Sequence, residues 1–205
     1  MSPSLILKYM NELYPDVKCE LEYDQDVFHL LIAVMLSAQT TDKKVNSVTR
    51  PLFDKYKTID ELANASYEDV EEMIRILGLS KVKAKRVIEI ANIIKNKYNY
   101  EVPKEKEELV TLPGVGNKTA NVIRVEYFKI PEFPVDTHVL RVANRLNIVE
   151  TSSVEETEEI LRNTFPSSKW GKIHHQFIHF GRYMCKAIAP RCEECPFKGK
   201  CKLTK

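Results

Sequence analysis

The sequence feature that most constrains the fold is a tight turn joined to the start of a helix. It reads Leu-Pro-Gly-Val-Gly-Asn-Lys-Thr-Ala-Asn and spans residues 112–121. Pro113 fixes its own φ, whereas Gly114 and Gly116 can adopt the positive φ values that other residues resist. Asn117 suits the N-cap of the helix that follows. Such a turn exposes backbone N–H groups at the positive end of a helix dipole, which predicts an anion site, above all for a phosphate.

Two charged residues follow this turn at an informative spacing. Lys118 falls in the first turn of the predicted helix, and Asp136 comes eighteen residues later, where Val-Asp-Thr-His opens a second helix. The glycines alone are a weak signal, because hydrophobic Pro-Gly turns are common. The whole string followed by an aspartate at this distance is far more specific.

Apolar residues recur with the period of an α-helix along most of the chain. The clearest examples of this i, i+3, i+4, i+7 pattern are Phe28, Leu31, Ile32, Met35 and Val139, Val142, Ala143, Leu146. No β alternation persists beyond a few residues, and no internal repeat is present. The 205 residues, 43% of them hydrophobic, suffice for one large or two small domains with a core. We therefore predict an all-α fold of about ten short-connected helices, with the helix after Asp42 broken at or soon after Pro51.

The charge distribution is uneven although the net charge is only +2. The chain is therefore no polycation, and a nucleic-acid surface must come from local clusters. One basic cluster comprises Lys81, Lys83, Lys85 and Arg86, and basic residues gather again after Arg182. Ordinary solvated surface is the alternative reading of these charges. No apolar run has transmembrane length and the start lacks the features of a signal peptide, so we expect a cytosolic protein.

Four of the five cysteines form one group near the C-terminus, with the spacing C-x6-C-x2-C-x5-C: Cys185, Cys192, Cys195 and Cys201. In a cytosolic protein such a group predicts a metal site rather than two disulfides. Structural zinc usually takes two C-x2-C pairs, and here only one pair is close. The spacing therefore favours a [4Fe–4S] cluster, with zinc as the alternative. Lys186 and Arg191 lie in the loop between the first two cysteines, where they can contact phosphate.

Three motifs taken together identify a family. They are Leu-Pro-Gly-Val-Gly-x-Lys-Thr-Ala-Asn, Val-Asp-Thr-His-Val-x-Arg-Val and the four spaced cysteines. The chain resembles the endonuclease III family, the helix–hairpin–helix DNA glycosylases of base-excision repair. The resemblance also includes Leu-Ser-Ala-Gln-Thr-Thr-Asp near the start and His-His-x4-Phe-Gly-Arg-Tyr-x-Cys near the end, so it covers nearly the whole chain in order.

The resemblance implies a fold of two α-helical domains flanking a DNA-binding cleft. A six-helix domain would span residues 20–130 and end in the helix–hairpin–helix motif, at about residues 107–127. The second domain would combine residues 1–19 with residues 131–205 and carry the [4Fe–4S] cluster on the four cysteines.

The resemblance also implies a bifunctional DNA glycosylase and AP lyase. Such an enzyme removes oxidised pyrimidines from duplex DNA through a lysine Schiff base and nicks 3′ of the abasic site by β-elimination. Lys118 would be the nucleophile, at a helix N-terminus whose dipole disfavours the ammonium form. Asp136 would balance the positive charge that develops on the sugar and assist proton transfer. Gln39 and Leu79 would fill the gap that the flipped base leaves in the duplex.

The expected partner is double-stranded DNA carrying a damaged base or an abasic site, bound by a monomer with no membrane association. Gly114, Gly116, Lys186 and Arg191 would contact this DNA. A prokaryotic enzyme of this kind would work in the cytoplasm, associated with the nucleoid.

Other interpretations of the same residues remain. Without the resemblance, Gln39 would be a helix-terminus residue and Leu79 a helix-end hydrophobic contact. Lys118 could serve as a phosphate contact only, because such hairpins also occur in proteins that merely hold DNA. The related adenine-specific mismatch glycosylases lack the nucleophilic lysine, and a non-catalytic DNA-binding or redox-signalling protein is the rival of another class. Two departures from the family pattern are the apolar middle of the cysteine loop, Cys-Lys-Ala-Ile-Ala-Pro-Arg-Cys, and the neutral Asn117.

Overall fold

The chain is all-helical. A computed structural model describes residues 1–204, and no strand occurs within that range. The α-helices of the described part are α1 Pro3–Leu13, α2 Val27–Leu36, α3 Asp42–Lys55, α4 Ile59–Ala63, α5 Tyr67–Ile74, α6 Ser80–Lys97, α7 Lys106–Leu109, α8 Asn117–Glu126, α9 Thr137–Arg145, α10 Val154–Thr164 and α11 Trp170–His179. The predicted fold class is confirmed. None of these helices is both long enough and apolar enough to cross a membrane.

The chain divides into two compact units, each with its own hydrophobic core. One is the continuous segment Cys19–Lys129, which contains α2 to α8. The other combines Met1–Lys18 with Ile130–Lys205 and contains α1 and α9 to α11.

Helix α2 is the centre of the continuous unit. Asp26 caps its N-terminus, where Oδ1 accepts hydrogen bonds from the amides of Phe28 and His29 at 2.7 and 2.9 Å. Eight of its ten residues are buried, because it carries no charge and is apolar nearly all round. Each fully buried leucine or isoleucine of this helix contributes about 1.5–3 kcal/mol to stability. The helix is thus fixed by its surroundings, and an exposed turn at residues 37–40 follows it directly.

Helix α3 runs through Pro51 to Lys55, so the predicted break at this proline is wrong. Proline cannot donate a hydrogen bond to the carbonyl four residues earlier, which belongs to Ser47. Both residues are exposed, so water can satisfy that carbonyl. The buried face of the helix, which includes Val48 and Leu52, is not interrupted.

In the discontinuous unit, α1 packs against α11. Ile6 and Met10 are the buried residues of α1. The buried Gln176 of α11 donates from Nε2 to Asn11 Oδ1 at 3.0 Å and to the carbonyl of Tyr14 at 3.1 Å. These two hydrogen bonds anchor the N-terminal helix to a segment more than 160 residues away in sequence.

Candidate active site and cysteine centre

The predicted hairpin is present between α7 and α8. Gly114 has a φ of +78°, a left-handed value that suits glycine. Gly116 has φ −96° and ψ −179°, so the prediction of a positive φ there is wrong. Gly116 is also the N-cap of α8, and Asn117 is its first residue rather than its cap. The tight turn therefore needs one left-handed glycine, and the second glycine keeps the helix start free of a side chain.

The N-terminus of α8 has no side-chain cap among the described residues. Its first hydrogen bond beyond the turn joins the Ala120 amide to the Gly116 carbonyl at 2.9 Å. The amides of Asn117, Lys118 and Thr119 precede that bond, so the helix leaves them without an intrahelical acceptor. Uncapped amides at the positive end of a helix form an anion site. The start of α8 thus leaves backbone donors available for the anion that the sequence predicts there.

Lys118 is exposed on this first turn. No side chain within residues 1–204 forms an ion pair or hydrogen bond with its Nζ. Its amine is therefore accessible from solvent, as a nucleophile or a phosphate contact would have to be.

Asp136 is the N-cap of α9, as the sequence predicted. Its Oδ1 accepts hydrogen bonds from the amides of His138 at 2.9 Å and Val139 at 2.8 Å. These two bonds fix the orientation of the carboxylate. The residue thus has a structural role at the helix start, and its negative charge is held in one place.

His138, two residues along, is a neutral neighbour of that carboxylate. Burial lowers the pKa of its imidazole below the ordinary 6.5, outweighing the opposite influence of the Asp136 carboxylate. Its Nδ1 lies 3.1 Å from Nη2 of Arg141, which donates, so Nδ1 is the acceptor. The same Nη2 donates to the Gly181 carbonyl at 2.8 Å. The surroundings of Asp136 are therefore held by α9 and the end of α11 together.

Gln39 and Leu79 both lie in exposed turns with left-handed backbone. Their φ values are 60° and 52°. For residues with a side chain this conformation costs about 1–2 kcal/mol. Leu79 is 61% exposed, so its side chain gains little from burial in return. Strained, exposed residues of this kind are concentrated at functional sites.

Lys83 connects these two turns and is not a surface residue. It is only 2% exposed, and its Nζ donates to the Ala38 carbonyl at 2.9 Å. Its own amide donates to the Leu79 carbonyl at 3.0 Å. Ala38 follows the C-terminus of α2, where the helix dipole favours a cation. The prediction that Lys83 belongs to a basic surface cluster is therefore wrong, although its position four residues before Val87 places it on the buried face of α6.

All four C-terminal cysteines line one cavity. Its walls comprise Cys185, Cys192, Cys195 and Cys201 together with apolar side chains that include Leu146, Phe180, Met184, Phe197 and Leu203. Burial raises the pKa of the Cys195 thiol, and the three other cysteines act in the same direction. Within residues 1–204, no group of three or more His, Cys, Asp or Glu side chains converges as a single metal ion requires. The four cysteines thus share one cavity.

Cys185 follows an irregular helix end. Helix α11 ends at His179, and a π-helical turn spans Phe180–Met184. The Cys185 amide donates to the Phe180 carbonyl at 2.6 Å, which closes this turn. π-Helical turns occur frequently at functional sites.

Arg145 of α9 holds the first half of the cysteine loop. Its guanidinium donates to the carbonyls of Cys185, Lys186 and Ala187 at 3.2, 2.6 and 3.3 Å, and lies 3.4 Å from Cys185 Sγ. The role of this arginine was not predicted. Its position four residues after Arg141 is the only trace of its role in the sequence, since Arg141 also donates to the Cys185 carbonyl, at 3.2 Å.

The two predicted phosphate contacts of this loop differ in their surroundings. Lys186 is exposed, and no described acidic group pairs with its side chain. Arg191 is exposed as well but forms an ion pair with Glu194, three residues away. Lys186 therefore offers the more available charge.

Comparison with known proteins connects these features to one family. Residues 32–167 match the HhH-GPD superfamily of base excision DNA repair proteins. Over 197 residues the chain is 43% identical to endonuclease III of Bacillus subtilis, covering 96% of this chain and 90% of that protein. The chain belongs to the endonuclease III family. The resemblance inferred from the motifs is therefore confirmed.

Two further members of the endonuclease III family support the assignment. The protein from Thermotoga maritima is 44% identical over 178 residues, which is 87% of this chain and 84% of its own. A solved structure of a trapped covalent intermediate between endonuclease III and DNA superposes with a TM-score of 0.93. That structure is 43% identical and covers 98% of this chain and 96% of its own. The hairpin, Asp136 and the four cysteines thus lie in a chain that follows this family along nearly its whole length.

Proposed function

We propose that this chain is a bifunctional DNA glycosylase and AP lyase that removes oxidised pyrimidines from duplex DNA in base-excision repair. The observation that carries the proposal is the exposed Lys118 on the uncapped first turn of α8. An amine beside an anion site is what covalent attack on a nucleotide requires, and a relative of this chain forms a covalent intermediate with DNA.

DNA binding begins at the hairpin. The free amides at the start of α8 hold a phosphate of the damaged strand, and Gly114 and Gly116 allow the backbone to approach it. A phosphate fixed here places the neighbouring sugar within reach of the adjacent Lys118. Lys186 adds a second phosphate contact from the cysteine loop, and Arg191 contributes less because of its ion pair with Glu194.

The damaged base must leave the stack before it can react, at a cost of a few kcal/mol. Leu79 and Gln39 are suited to occupy the space it vacates. Leu79 presents an exposed apolar side chain, whereas the amide of Gln39 can hydrogen-bond with the base left unpaired. Lys83 fixes the spacing of their two turns through its bonds to Ala38 and Leu79.

Lys118 is the nucleophile. Its neutral amine attacks C1′ of the flipped nucleotide, the C1′–N bond to the base breaks, and the base leaves with a proton. Opening of the sugar ring then gives a Schiff base between Nζ and C1′. Loss of a proton from C2′ expels the 3′ phosphate, which is the β-elimination that nicks the strand.

Asp136 supports the departure of the base. Positive charge develops on the sugar as the C1′–N bond breaks, and a fixed carboxylate stabilises it without having to reorganise. The two N-cap hydrogen bonds provide that fixation. Asp136 also accepts and returns the proton that the amine loses.

The four C-terminal cysteines hold a [4Fe–4S] cluster in this proposal. The donor set fits, because four thiols line one cavity with apolar walls. When bound, the cluster supplies four iron–sulfur bonds that cross-link the loop to the end of the α11 segment. The basic ends of the loop are then held in place for phosphate contact.

The proposed setting follows from the substrate. Chromosomal DNA places the enzyme in the cytoplasm of a prokaryotic cell, at the nucleoid. All the proposed groups come from one chain, so a monomer suffices.

Borohydride trapping tests the proposal. A duplex with one oxidised pyrimidine, incubated with wild-type protein and borohydride, should yield a covalent protein–DNA adduct, because borohydride reduces the Schiff base. Lys118→Gln should give neither adduct nor nick but should still bind the duplex, since the hairpin amides remain.

Asp136→Asn separates the electrostatic role of Asp136 from the nucleophilic role of Lys118. It keeps the amine and an N-cap oxygen but removes the charge, so base removal should fall by about 10²–10³ in rate. On a preformed abasic site, where no base has to leave, this variant should trap far better than Lys118→Gln. If Lys118→Gln traps abasic DNA as well as wild type does, another amine is the nucleophile and the proposed chemistry is wrong.

A further inference from the structure

We infer that Arg86, on α6, supplies the side-chain cation of the phosphate site at the hairpin. The inference rests on the proposed function and extends it to a residue that neither the motifs nor the mechanism uses. It concerns affinity for DNA and leaves the chemical step to Lys118 and Asp136.

The position of Arg86 is defined by its contact with the turn. A Cβ added to Gly114 would lie 2.8 Å from Cδ of Arg86 and 3.2 Å from both Nε and Nη1. The guanidinium thus lies directly on the turn, on the side that a side chain at residue 114 would occupy. Gly114 has two reasons to be glycine, its φ of +78° and this close approach.

The charge of Arg86 is not neutralised within the protein. No hydrogen bond or ion pair joins it to any residue among 1–204. Two neighbouring lysines on α6 do have partners within the protein. Lys85 lies 3.7 Å from Glu89, and Lys83 is buried and donates to the Ala38 carbonyl. An arginine that packs against a backbone turn without an acidic partner keeps its N–H donors available for an external anion.

The turn itself lacks a side-chain cation for binding. Gly114 and Gly116 have no side chain, Asn117 is neutral, and the amine of Lys118 must stay free to react. The hairpin alone therefore offers only amides. Arg86 brings the missing charge from a neighbouring helix, and its planar guanidinium can bond to two phosphate oxygens at once. The partner is a backbone phosphate of duplex DNA, so binding should not depend on sequence.

Salt-dependent affinity tests this assignment. The probe is a fluorescent duplex with a tetrahydrofuran abasic analogue, which cannot be cleaved, and Kd is measured by anisotropy at several KCl concentrations. Arg86→Ala should reduce the slope of log K against log salt by about 0.9, the value for one phosphate contact. At 0.1 M salt that loss corresponds to a Kd about eightfold higher. In single-turnover cleavage of a cleavable duplex, the protein concentration that gives half the maximal rate should rise with the Kd.

Two further variants make the result specific. Lys85→Ala removes an exposed cation from the adjacent position on α6 and should leave the slope unchanged, because Lys85 pairs with Glu89. Adding Asn117→Lys to Arg86→Ala returns a cation to the turn from the first residue of α8 and should restore most of the slope.

The inference is overturned if folded Arg86→Ala, with the circular dichroism spectrum and Tm of wild type, keeps the full salt slope. It is also overturned if Lys85→Ala lowers the slope equally, since the slope would then reflect the overall positive charge of α6 and not a phosphate contact by Arg86. If wild type itself neither binds the duplex in a salt-dependent way nor nicks damaged DNA, the proposed function fails and this inference with it.

Discussion

Replacing Leu79 by glycine should reduce activity. It should nevertheless lower the free energy of unfolding less than replacing Leu79 by alanine does. At most exposed positions glycine is the less stable of the two by about 0.5–1 kcal/mol. Leu79, however, has a φ of 52° and a ψ of 28°, in the left-handed region. Glycine adopts this conformation freely, whereas alanine retains the strain of about 1–2 kcal/mol.

The expected stability losses follow from the exposed fraction of the Leu79 side chain and from its left-handed backbone conformation. Leu79 is 61% exposed, so either truncation loses only about two-fifths of the 1.5–3 kcal/mol that full burial of a leucine contributes. Leu79→Ala should therefore cost roughly 1 kcal/mol. In Leu79→Gly the relief of backbone strain offsets that loss, while the greater entropy of the unfolded chain removes part of the gain. The free energy of unfolding of the glycine variant should therefore exceed that of the alanine variant by about 0.5–1 kcal/mol.

Urea unfolding followed by circular dichroism measures this difference. Cleavage assays on the same proteins test function, since both variants lose the side chain that we propose replaces the flipped base. Both should be slowed more on a lesion in a paired context than on the same lesion in an unpaired context, where extrusion is easier. The reasoning is refuted if alanine proves more stable than glycine, or if both lesion contexts are slowed equally.

Other predictions concern the metal centre, the loop charges and the buried lysine. Protein purified without denaturation should be yellow-brown and contain about four iron atoms by elemental analysis. Cys192→Ser should lose this iron. Stoichiometric zinc without visible absorbance would contradict the cluster. Lys186→Ala should lower the salt slope of DNA binding by about 0.9, and Arg191→Ala by less, because Arg191 is paired with Glu194; equal slopes would remove that distinction. Burial lowers the pKa of the Lys83 ammonium below its ordinary 10.5. The unfolded chain therefore binds more protons than the folded one between these two values, so stability should rise with pH across that interval. Thermal unfolding of Lys83→Met should lack this rise, and an unchanged pH profile would show that Lys83 is not buried as a cation.

The sequence predicted those parts of the site that depend on neighbours along the chain. The hairpin, the N-cap role of Asp136 and the grouping of the cysteines each follow from short-range rules of backbone geometry and ligand spacing. The errors at this level are small, such as the cap of α8, which is Gly116 rather than Asn117. Glycine is acceptable at an N-cap, so propensity alone could not decide between two adjacent residues.

Roles that depend on distant contacts could not be predicted. The helical period places Lys83 on the buried face of α6, but the sequence does not show that its ammonium meets the Ala38 carbonyl. Arg86 and Arg145 are likewise ordinary arginines until the turn at Gly114 and the carbonyls of the cysteine loop are located. The break expected at Pro51 failed for the same reason, because whether a proline ends a helix depends on how the opposite face is packed.

The burial of α2 has a consequence for how damage is found. This helix cannot slide or tilt without disrupting the packing of its eight buried residues, and the turn with Gln39 begins where it ends. Lys83 extends the same rigidity to the turn with Leu79. In the proposed function, the turns that carry Gln39 and Leu79 are too rigid to adapt to each nucleotide they contact. The duplex must therefore deform instead. Lesions that weaken stacking or pairing will then be sampled most often, and the mechanical softness of the DNA becomes part of recognition.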